Sequence, residues 1–478
     1  MSKYKAICLL MILTLLLSGC WSKRELNELA IVAALGIDKV DNEFEITVQV
    51  VDPGEISSKQ PTSGRSPVIT YHSKGKTVFE AIRKMTTVTA RKLYFAHLQI
   101  VVLGDELAKE GMAEPLDLVS RDHEFRNDFD VIVAHDATAD EVLNVLTPIE
   151  KVPANKLLNS LKTSEKTWGT TQSIKIDELI NILNNKETSV VMSAIEIHGD
   201  KSAGKDPSNV RKSKSSVVLK YAGLGVFKED KFIGVLSEED SRSLGFLKDK
   251  IDSTIEILAC PKEGTVSTEI THSKTKIKGK FENGAPKINV FIDVSQNVGE
   301  VECTIDLTKQ KSIHYINKKT EELIKKRIEE TIKTVQQNYR VDIFGFGSEL
   351  HRTNPKEWKK IKKDWLTIFQ EVPVKVEVHV NTQGLGTMEN SLVKKPKGEL
   401  SMIMTIFILL ITAVIAFVFI PKLNKNKETK TIVIFSIFLM LGAALNVAVL
   451  LRFKIPSPID LITFIFSPIK DLFISLTK

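Results

Sequence analysis

The stretch Leu16-Leu17-Ser18-Gly19-Cys20 ends a short apolar N-terminal segment. Its pattern predicts in which cellular compartment the rest of the chain lies. Lys3 and Lys5 make the start of the chain positively charged, and residues 6–17 add about a dozen nearly unbroken apolar positions. That apolar length is too short to cross a bilayer and is typical of the hydrophobic region of a signal peptide. We therefore expect residues 1–19 to be a signal peptide.

The small residues directly before Cys20 resemble the lipobox of bacterial lipoproteins. In such proteins the cysteine sulfur receives a diacylglyceryl group, the peptide is cut before the cysteine, and the new amino terminus can be acylated. Cys20 is therefore the predicted lipidation site, with palmitate as an expected acyl chain, and two or more chains hold a soluble domain stably on a membrane. The alternative is an ordinary signal peptide, or a short N-terminal anchor, with an incidental cysteine.

Length and composition indicate an ordinary globular protein rather than a disordered or fibrous one. The chain has 478 residues, enough for two or three domains, and 66 basic against 59 acidic residues give a net charge of +7. This balance gives no reason to expect nucleic acid as a partner, and at most a mild affinity for anionic lipid headgroups. Cys260 and Cys303 lie in segments that resemble strands, and their spacing leaves both a disulfide and two buried thiols open.

Residues 20–199 alternate strand and helix patterns, which favours an α/β or α+β domain. Two helices are expected to begin at capping boxes, Thr77 with Glu80 and Thr138 with Glu141. The clearest strand has period two, and its apolar face consists of Phe44, Ile46, Val48 and Val50.

A polar run over residues 200–216 has the composition of a linker, and a second α+β domain is expected over residues 217–390. Its predicted features are a hairpin near residues 224–236, a helix that begins at Ser237, and an alternating strand over residues 374–380. Between them a long amphipathic helix is expected, whose apolar stripe consists of Ile324, Ile328, Ile332 and Val335.

The composition changes abruptly after the second domain. Residues 401–420 contain no charge, which as a helix spans about 30 Å, and residues 432–451 repeat this pattern. Two transmembrane helices are the prediction, and two buried core helices are the alternative. Residues 421–430 between them carry four lysines and one glutamate, so the positive-inside rule places this loop in the cytoplasm and Cys20 with both domains outside.

The tail over residues 459–477 is expected to form an amphipathic helix. A narrow polar stripe runs along its Leu, Ile and Phe surface. A third transmembrane span is the alternative, but Pro468 would interrupt its hydrogen bonds, and burying its charges in lipid would cost several kcal/mol. We therefore expect the tail to lie along the outer membrane surface. The polar stripe consists of Asp460, Thr463, Ser467, Lys470, Asp471 and Ser475.

The sequence predicts no enzyme, no cofactor and no metal site. Its nine histidines show no metal-ligand spacing, and no phosphate-binding loop is present. Gly345-Phe346-Gly347 is interpreted as a glycine turn after a strand over residues 341–344, and Ser391 with Lys394 matches a serine–lysine hydrolase motif in spacing only. The charged run over residues 121–126 is expected to be a salt-bridged helix end or a solvated face.

Several longer stretches together resemble the Ger(x)C family of spore germination lipoproteins. In the first half they are Gly19-Cys20-Trp21, Arg24-Glu25-Leu26-Asn27, Gly36-Ile37-Asp38, Thr47-Val48-Gln49-Val50 with Pro53, residues 91–98, Leu116-Asp117, Arg121-Asp122 and Arg126. In the second half they are residues 223–227, Gly234, Leu236, residues 342–347, Trp358, Trp365 and the strand over residues 374–380. The resemblance covers roughly residues 17 to 390.

This resemblance implies a C subunit of a nutrient germinant receptor, built from distinct α/β domains in series. Such a subunit lies on the outer face of the inner spore membrane, beside a polytopic A subunit and a transporter-like B subunit. Only Cys20 transfers as a defined site, and no catalytic or nutrient-contacting residue does. The C-terminal hairpin departs from the family pattern. The alternative function is an extracytoplasmic lipoprotein that binds a ligand or assists envelope assembly outside germination.

Overall fold

A computed structural model describes residues 4, 28–57, 66–185, 187–386, 399–425 and 429–450. The chain divides into two compact units, Met1–Leu392 and Val393–Lys478. The first unit contains two β-sheets with their helices, and the described part of the second consists of two helices. The fold is therefore mixed α+β with two sheets, as the sequence predicts.

The first sheet has nine strands. Their order is β3-β2-β1-β5-β6-β7-β8-β9, and β4 pairs with β1 beside this path. Strands β1, β5, β6 and β7 run parallel, so their carboxyl ends lie at one edge of the sheet. The bounds are β1 Leu29–Val40, β2 Glu43–Val51, β3 Val68–Gly75, β4 Lys92–Tyr94, β5 Ile100–Leu103, β6 Asp130–Ala134, β7 Val191–His198, β8 Val218–Lys228 and β9 Lys231–Val235.

Helices cover both faces of this sheet, because β1, β5 and β6 are apolar on both sides. On β2, the predicted face is confirmed, since all four of its apolar residues are buried. The opposite face of β2 buries Thr47 and Gln49 as well, which alternation alone does not predict. The helices up to residue 211 are α1 Pro53–Ser57, α2 Val78–Lys84, α3 Asp105–Glu110, α4 Ala113–Arg121, α5 Ala139–Leu143, α6 Pro153–Thr167, α7 Ile176–Asn185 and α8 Ser208–Arg211.

The two predicted capping boxes have different outcomes. At α5 the box is complete, because Thr138 Oγ1 accepts from the Glu141 N–H and Glu141 Oε2 accepts from the Thr138 N–H. At α2 the Thr77 hydroxyl accepts from the Glu80 N–H, but Glu80 Oε2 accepts from the Lys76 N–H instead of closing the box.

The second sheet has four strands in the order β10-β11-β12-β13, with β13 parallel to β12. The long helix α10, Gln310–Thr334, packs on it, and the predicted stripe of three isoleucines and Val335 is buried in one core with the sheet. The bounds are β10 Thr254–Ala259, β11 Thr265–Glu282, β12 Ala285–Val301, β13 Val374–Gly384, α9 Glu238–Leu247, α10 Gln310–Thr334, α11 Phe346–Thr353, α12 Pro355–Ile361 and α13 Trp365–Phe369.

Residues 200–216, the predicted linker, contain a 3₁₀ turn, Lys201–Lys205, and helix α8. Asn209 of this segment is buried, and its side chain donates to the Leu146 and Val217 carbonyls and accepts from the Val217 N–H. Strand β8 after the segment pairs with β7 before it, so the first sheet continues through β9. The division into domains at residues 199 and 217 stays a prediction.

Cys260 and Cys303 form a disulfide, which the sequence spacing left open. It joins the chain just after β10 to the chain just after β12, across 43 residues. Both cysteines belong to a small apolar cluster at this end of the second sheet, together with Leu258 and Ile316.

Two long apolar helices end the described chain, α14 Glu399–Lys425 and α15 Thr429–Leu450. They are long and apolar enough to cross a membrane over Ile406–Asn424 and Thr429–Asn446. The predicted loop over residues 421–430 is wrong in its bounds. Helix α14 continues through Pro421 to Lys425, although the proline has no N–H and so removes one hydrogen bond of the helix.

Candidate functional site

Cys20, the predicted lipidation site, lies outside the described residues, as does the tail over residues 459–477. Lipidation at Cys20 and an amphipathic tail helix therefore stay predictions. The predicted signal peptide also falls almost wholly outside the described residues, of which only Tyr4 is described there.

The described C-terminal helices have the surface expected of lipid-facing segments. None of the apolar stretch of either helix is buried, and Phe417 is 83% exposed. Two polar side chains of these helices bond within their own helix: Thr412 Oγ1 donates to the Ile408 carbonyl at 2.8 Å, and Asn446 Nδ2 donates to the Gly442 carbonyl at 2.8 Å. Such internal pairing satisfies polar groups where no water is available.

The buried side chain of Asp38, near the end of β1, binds the N-terminus of helix α5. Its two carboxylate oxygens accept from the backbone N–H groups of Ala139 at 2.8 Å and Asp140 at 3.0 Å. Burial raises the pKa of the Asp38 carboxyl to about 6, and the two N–H donors oppose this rise. The contact lies across the sheet, about a hundred residues along the chain from Asp38.

Two glycines let α5 and Asp38 come this close. A Cβ at Gly36 would lie 3.0 Å from Ala139 Cβ, and a Cβ at Gly104 would overlap the Asp38 carboxylate. Gln49 completes the arrangement, because its Nε2 donates to the Leu143 carbonyl at 2.9 Å while its Oε1 accepts from the Ala154 N–H at 3.0 Å. Gly36, Asp38 and Gln49 thus fix the two helices that follow β6.

Residues 341–344, expected to be a strand, instead form a loop around the carboxylate of Asp342. This carboxylate is buried and accepts from four backbone N–H groups of residues 344–347 at 2.7 to 3.2 Å. It also accepts from Trp365 Nε1 at 3.1 Å. The strand prediction is wrong because the backbone N–H groups that would pair with a neighbouring strand donate to the Asp342 carboxylate instead. Burial raises the pKa of Asp342, and the hydrogen bonds from Gly347, Phe346, Trp365 and Gly345 oppose this rise.

The Asp342 loop joins the second sheet to the segment before β7. The Ser189 N–H donates to the Asp342 carbonyl at 2.7 Å. Gly347 is required by close approach, since a Cβ there would lie 2.7 Å from Trp365 Nε1 and 2.8 Å from the Glu187 carbonyl oxygen. The loop therefore fixes the two halves of the first unit to each other. Its role is structural.

A cleft of about 540 Å³ opens beside this loop. Its walls come from both halves of the first unit, because Ile182, Ser189 and Asp230 lie on one side and Lys362 and Trp365 on the other. Apolar and charged side chains are mixed along it, and within the described residues it holds no paired nucleophile and base. Walls of this mixed kind suit a binding groove.

At the edge of the sheet where β5 and β6 end, three side chains lie close together that the sequence gives no reason to group. One ligand atom each from Asp105, His135 and Asp136 lies within 4.8 Å of the others. The sequence predicts no metal site, because these residues have no ligand spacing along the chain. Their proximity depends on the parallel pairing of β5 with β6.

Family models match the chain over almost the whole of its first unit. Residues 22–197 match the spore germination protein N-terminal domain, and residues 222–386 match the spore germination B3/GerAC-like C-terminal domain. The chain belongs to the Ger(x)C family. The resemblance given by the sequence motifs is thereby confirmed, and the Ger(x)C motifs around Asp38 and Asp342 are the two buried arrangements described above.

Curated relatives of this Ger(x)C chain include three proteins of Bacillus subtilis (strain 168). Spore germination protein KC is 34% identical over 393 residues, which cover 79% of this chain and 96% of that protein. Spore germination protein B3 is 23% identical over 78% of this chain and 96% of that protein, and spore germination protein A3 is 26% identical over 80% of this chain and 98% of that protein.

A solved structure, titled "Crystal Structure of the GerBC protein", is similar to this Ger(x)C chain at a TM-score of 0.47 and 19% sequence identity. It covers 73% of this chain and 96% of that one. Helices α14 and α15 lie beyond the residues that the two family models match.

Proposed function

We propose that this protein is a lipid-anchored, non-enzymatic subunit of a spore nutrient germinant receptor, which acts in germination through protein–protein contacts at the membrane. The observation that carries the proposal is the match of both family domains, at residues 22–197 and 222–386. The relative named spore germination protein KC supports it, since it is matched over 96% of its own length. The expected partners are polytopic A-type and B-type receptor subunits and membrane lipid.

The proposed location is the extracytoplasmic face of the inner spore membrane. The Cys260–Cys303 disulfide supports an oxidising compartment for the first unit. Lysines near the junction of α14 and α15 support a cytoplasmic junction, with both ends of the hairpin outside. Acyl chains on Cys20 and the two apolar helices would then anchor the chain at both ends of its first unit.

The germination role is tested by deleting the gene in the spore former that carries it, after removing its other receptors. Deletion spores should respond more slowly, or not at all, to at least one nutrient, while triggers that bypass nutrients still work. Restoring the wild-type gene is the control. Normal responses to every nutrient would favour the alternative, an extracytoplasmic ligand-binding or envelope-assembly module.

The lipid anchor is tested separately with Cys20→Ala and labelled palmitate. The variant should fold normally and lose the label, because position 20 precedes the first described strand, which begins at Leu29. We expect only partial release from the membrane, since α14 and α15 retain the chain. Cys8→Ala, in the signal peptide, is the matched control and should keep the label. Incorporation of label into Cys20→Ala would show that the lipidation site is elsewhere.

A further inference from the structure

The cluster of Asp105, His135 and Asp136 lies where open α/β sheets bind ligands, outside the carboxyl ends of parallel strands. Asp105 is the first residue of α3, directly after β5 and Gly104, and His135 with Asp136 directly follows β6. Strand pairing places both strand ends side by side. The three side chains therefore meet because of the topology of the sheet.

Asp105 presents a buried oxygen to the cluster without a hydrogen-bond partner among the described residues. The residue is 7% exposed, and its Oδ1 accepts no hydrogen bond, while its Oδ2 pairs with Lys109 Nζ. His135 Nδ1, 3.8 Å from Asp105 Oδ1, is also buried without a hydrogen-bond partner in the described part of the chain. Leaving two buried polar atoms unpaired costs free energy, which a ligand bound to both atoms would recover.

The surrounding groups determine which kind of ligand fits. His135 Nε2 lies 3.7 Å from Asp136 Oδ2 and 3.9 Å from Glu196 Oε1, so three carboxylates face one imidazole. Two lysines oppose a cation here: Lys109 pairs with Asp105, and Lys201 donates to the Asp136 carbonyl. The carboxylates outnumber these ammonium groups, and Lys201 is also paired with Glu141. A cation is therefore favoured over an anion.

The donor set and its spacing suit a transition-metal ion. An imidazole with two or three carboxylates is a ligand set for Zn²⁺, whereas Ca²⁺ and Mg²⁺ prefer oxygen ligands alone. His135 can bind the ion through one ring nitrogen only, and donors bound tetrahedrally to Zn²⁺ at about 2.1 Å lie roughly 3.4 Å apart. The three ligand atoms, which lie within 4.8 Å of one another, must therefore move closer when the ion binds. Asp136 can supply this movement because its side chain is 80% exposed, while the edge contact with Phe232 holds the His135 ring in place.

We propose that Asp105, His135 and Asp136 form a binding site for a divalent transition-metal ion, with Zn²⁺ as the best match, and that Glu196 or water completes the coordination. The site belongs to the first unit and is independent of the membrane segment. It would fix the ends of β5, β6 and β7 to one another. Its test does not depend on the germination role.

The test measures Zn²⁺ binding to the purified full-length chain in detergent, with an affinity tag that contains no histidine and after removal of bound metal by a chelator. Titration calorimetry with zinc chloride should detect a single site, and Ca²⁺ should bind at least tenfold more weakly. His135→Ala and Asp136→Asn should each weaken Zn²⁺ binding at least tenfold. Asp136→Asn keeps the fold, since Asp136 is exposed at φ +53° and asparagine tolerates this conformation well.

His123→Ala is the matched control, because His123 also lies next to an aspartate, 3.5 Å from Asp122 Oδ1, but its side chain is 95% exposed. This variant should bind Zn²⁺ like the wild type. The proposal is overturned if the wild type binds no Zn²⁺ at concentrations up to about 100 µM. It is equally overturned if Asp136→Asn, with an unchanged circular dichroism spectrum, binds Zn²⁺ as tightly as the wild type.

Discussion

At the scale of single residues, two buried carboxylates decide much of this structure, and they do so in different ways. Asp342 accepts only donors close to it in sequence and one tryptophan, so its loop is largely a local structure. Asp38 accepts hydrogen bonds from N–H groups about a hundred residues away along the chain, so these bonds depend on the packing of α5 against β1. Both belong to motifs by which the chain resembles its family.

Asp342→Asn should lower the free energy of unfolding by about 3 kcal/mol, because the amide replaces an acceptor oxygen and presents its own N–H groups to the buried donors. Urea denaturation followed by tryptophan fluorescence measures the change, since Trp365 contacts this carboxylate. Asp364→Asn, at an exposed residue of the same region, is the control and should change little. Equal stability of Asp342→Asn and the control would contradict the structural role of Asp342.

The raised pKa of Asp38 makes a pH-dependent contribution to stability. The carboxyl titrates near 3.8 when unfolded and at about 6 when folded, so the folded state binds more protons between these values. This contribution is fully present below about pH 4 and is lost as the pH rises through about 6. The loss amounts to roughly 2 to 3 kcal/mol.

The test compares the unfolding free energy of the wild type with that of Asp38→Asn from pH 4 to 7. The free energy of unfolding of the wild type should fall relative to that of Asp38→Asn as the pH rises to about 6, and the difference should then stay constant. Asp41→Asn, in the exposed turn between β1 and β2, should show no such change relative to the wild type. A difference that is flat with pH would mean that Asp38 titrates normally in the folded protein.

At the scale of elements, the position of α5 depends on close approach to β1 and to the start of α3. Gly36 lies under α5, and Gly104 at the N-terminus of α3 lies against Asp38. Side chains at these positions would push α5 away from the sheet and uncover its N-terminal N–H groups. The packing of β1, α3 and α5 thus depends on two glycines, which have no Cβ.

Gly104→Ala should destabilise the protein by about 2 to 3 kcal/mol, because the new methyl group displaces the Asp38 carboxylate from its two N–H donors. Thermal unfolding measures this effect. Gly299→Ala is the control, since the nearest atom to its Cβ would be 3.6 Å away, in ordinary contact. A Gly104→Ala protein that melts like the control would show that Asp38 does not hold α5.

At the scale of the whole molecule, this chain adds two long apolar helices to the two domains that the family models match. The family match ends at residue 386, whereas α14 and α15 reach Leu450. We expect the tail that follows to lie on the outer membrane surface, because Asp460, Lys470 and Asp471 would be costly to bury in lipid.

Lys478→Cys, in a chain whose other cysteines except Cys20 are replaced, should react with a membrane-impermeant maleimide in intact cells. Lys425→Cys, at the end of α14, is the matched control and should react only after permeabilisation. Labelling of position 478 only after permeabilisation would mean that the tail crosses the bilayer as a third span.

The sequence by itself determined the features that depend on local periodicity. The buried face of β2, the apolar stripe of α10, the β8–β9 hairpin and the two apolar C-terminal helices all follow from repeats of two, about 3.6 or continuous apolar residues. Family membership also followed from sequence motifs, because they are long enough to be specific.

Only the tertiary structure decided which distant residues meet. The Cys260–Cys303 bond, the capping of α5 by Asp38 and the cluster of Asp105 with His135 join residues 30 to 101 positions apart. The sequence pattern predicts a strand where the Asp342 loop lies for a related reason, since it does not show that a buried carboxylate accepts the backbone N–H groups there. Periodicity shows which side of a helix or strand is apolar. The contacts named here depend instead on how strands pair and how helices pack on them, and this arrangement is fixed only when the core forms.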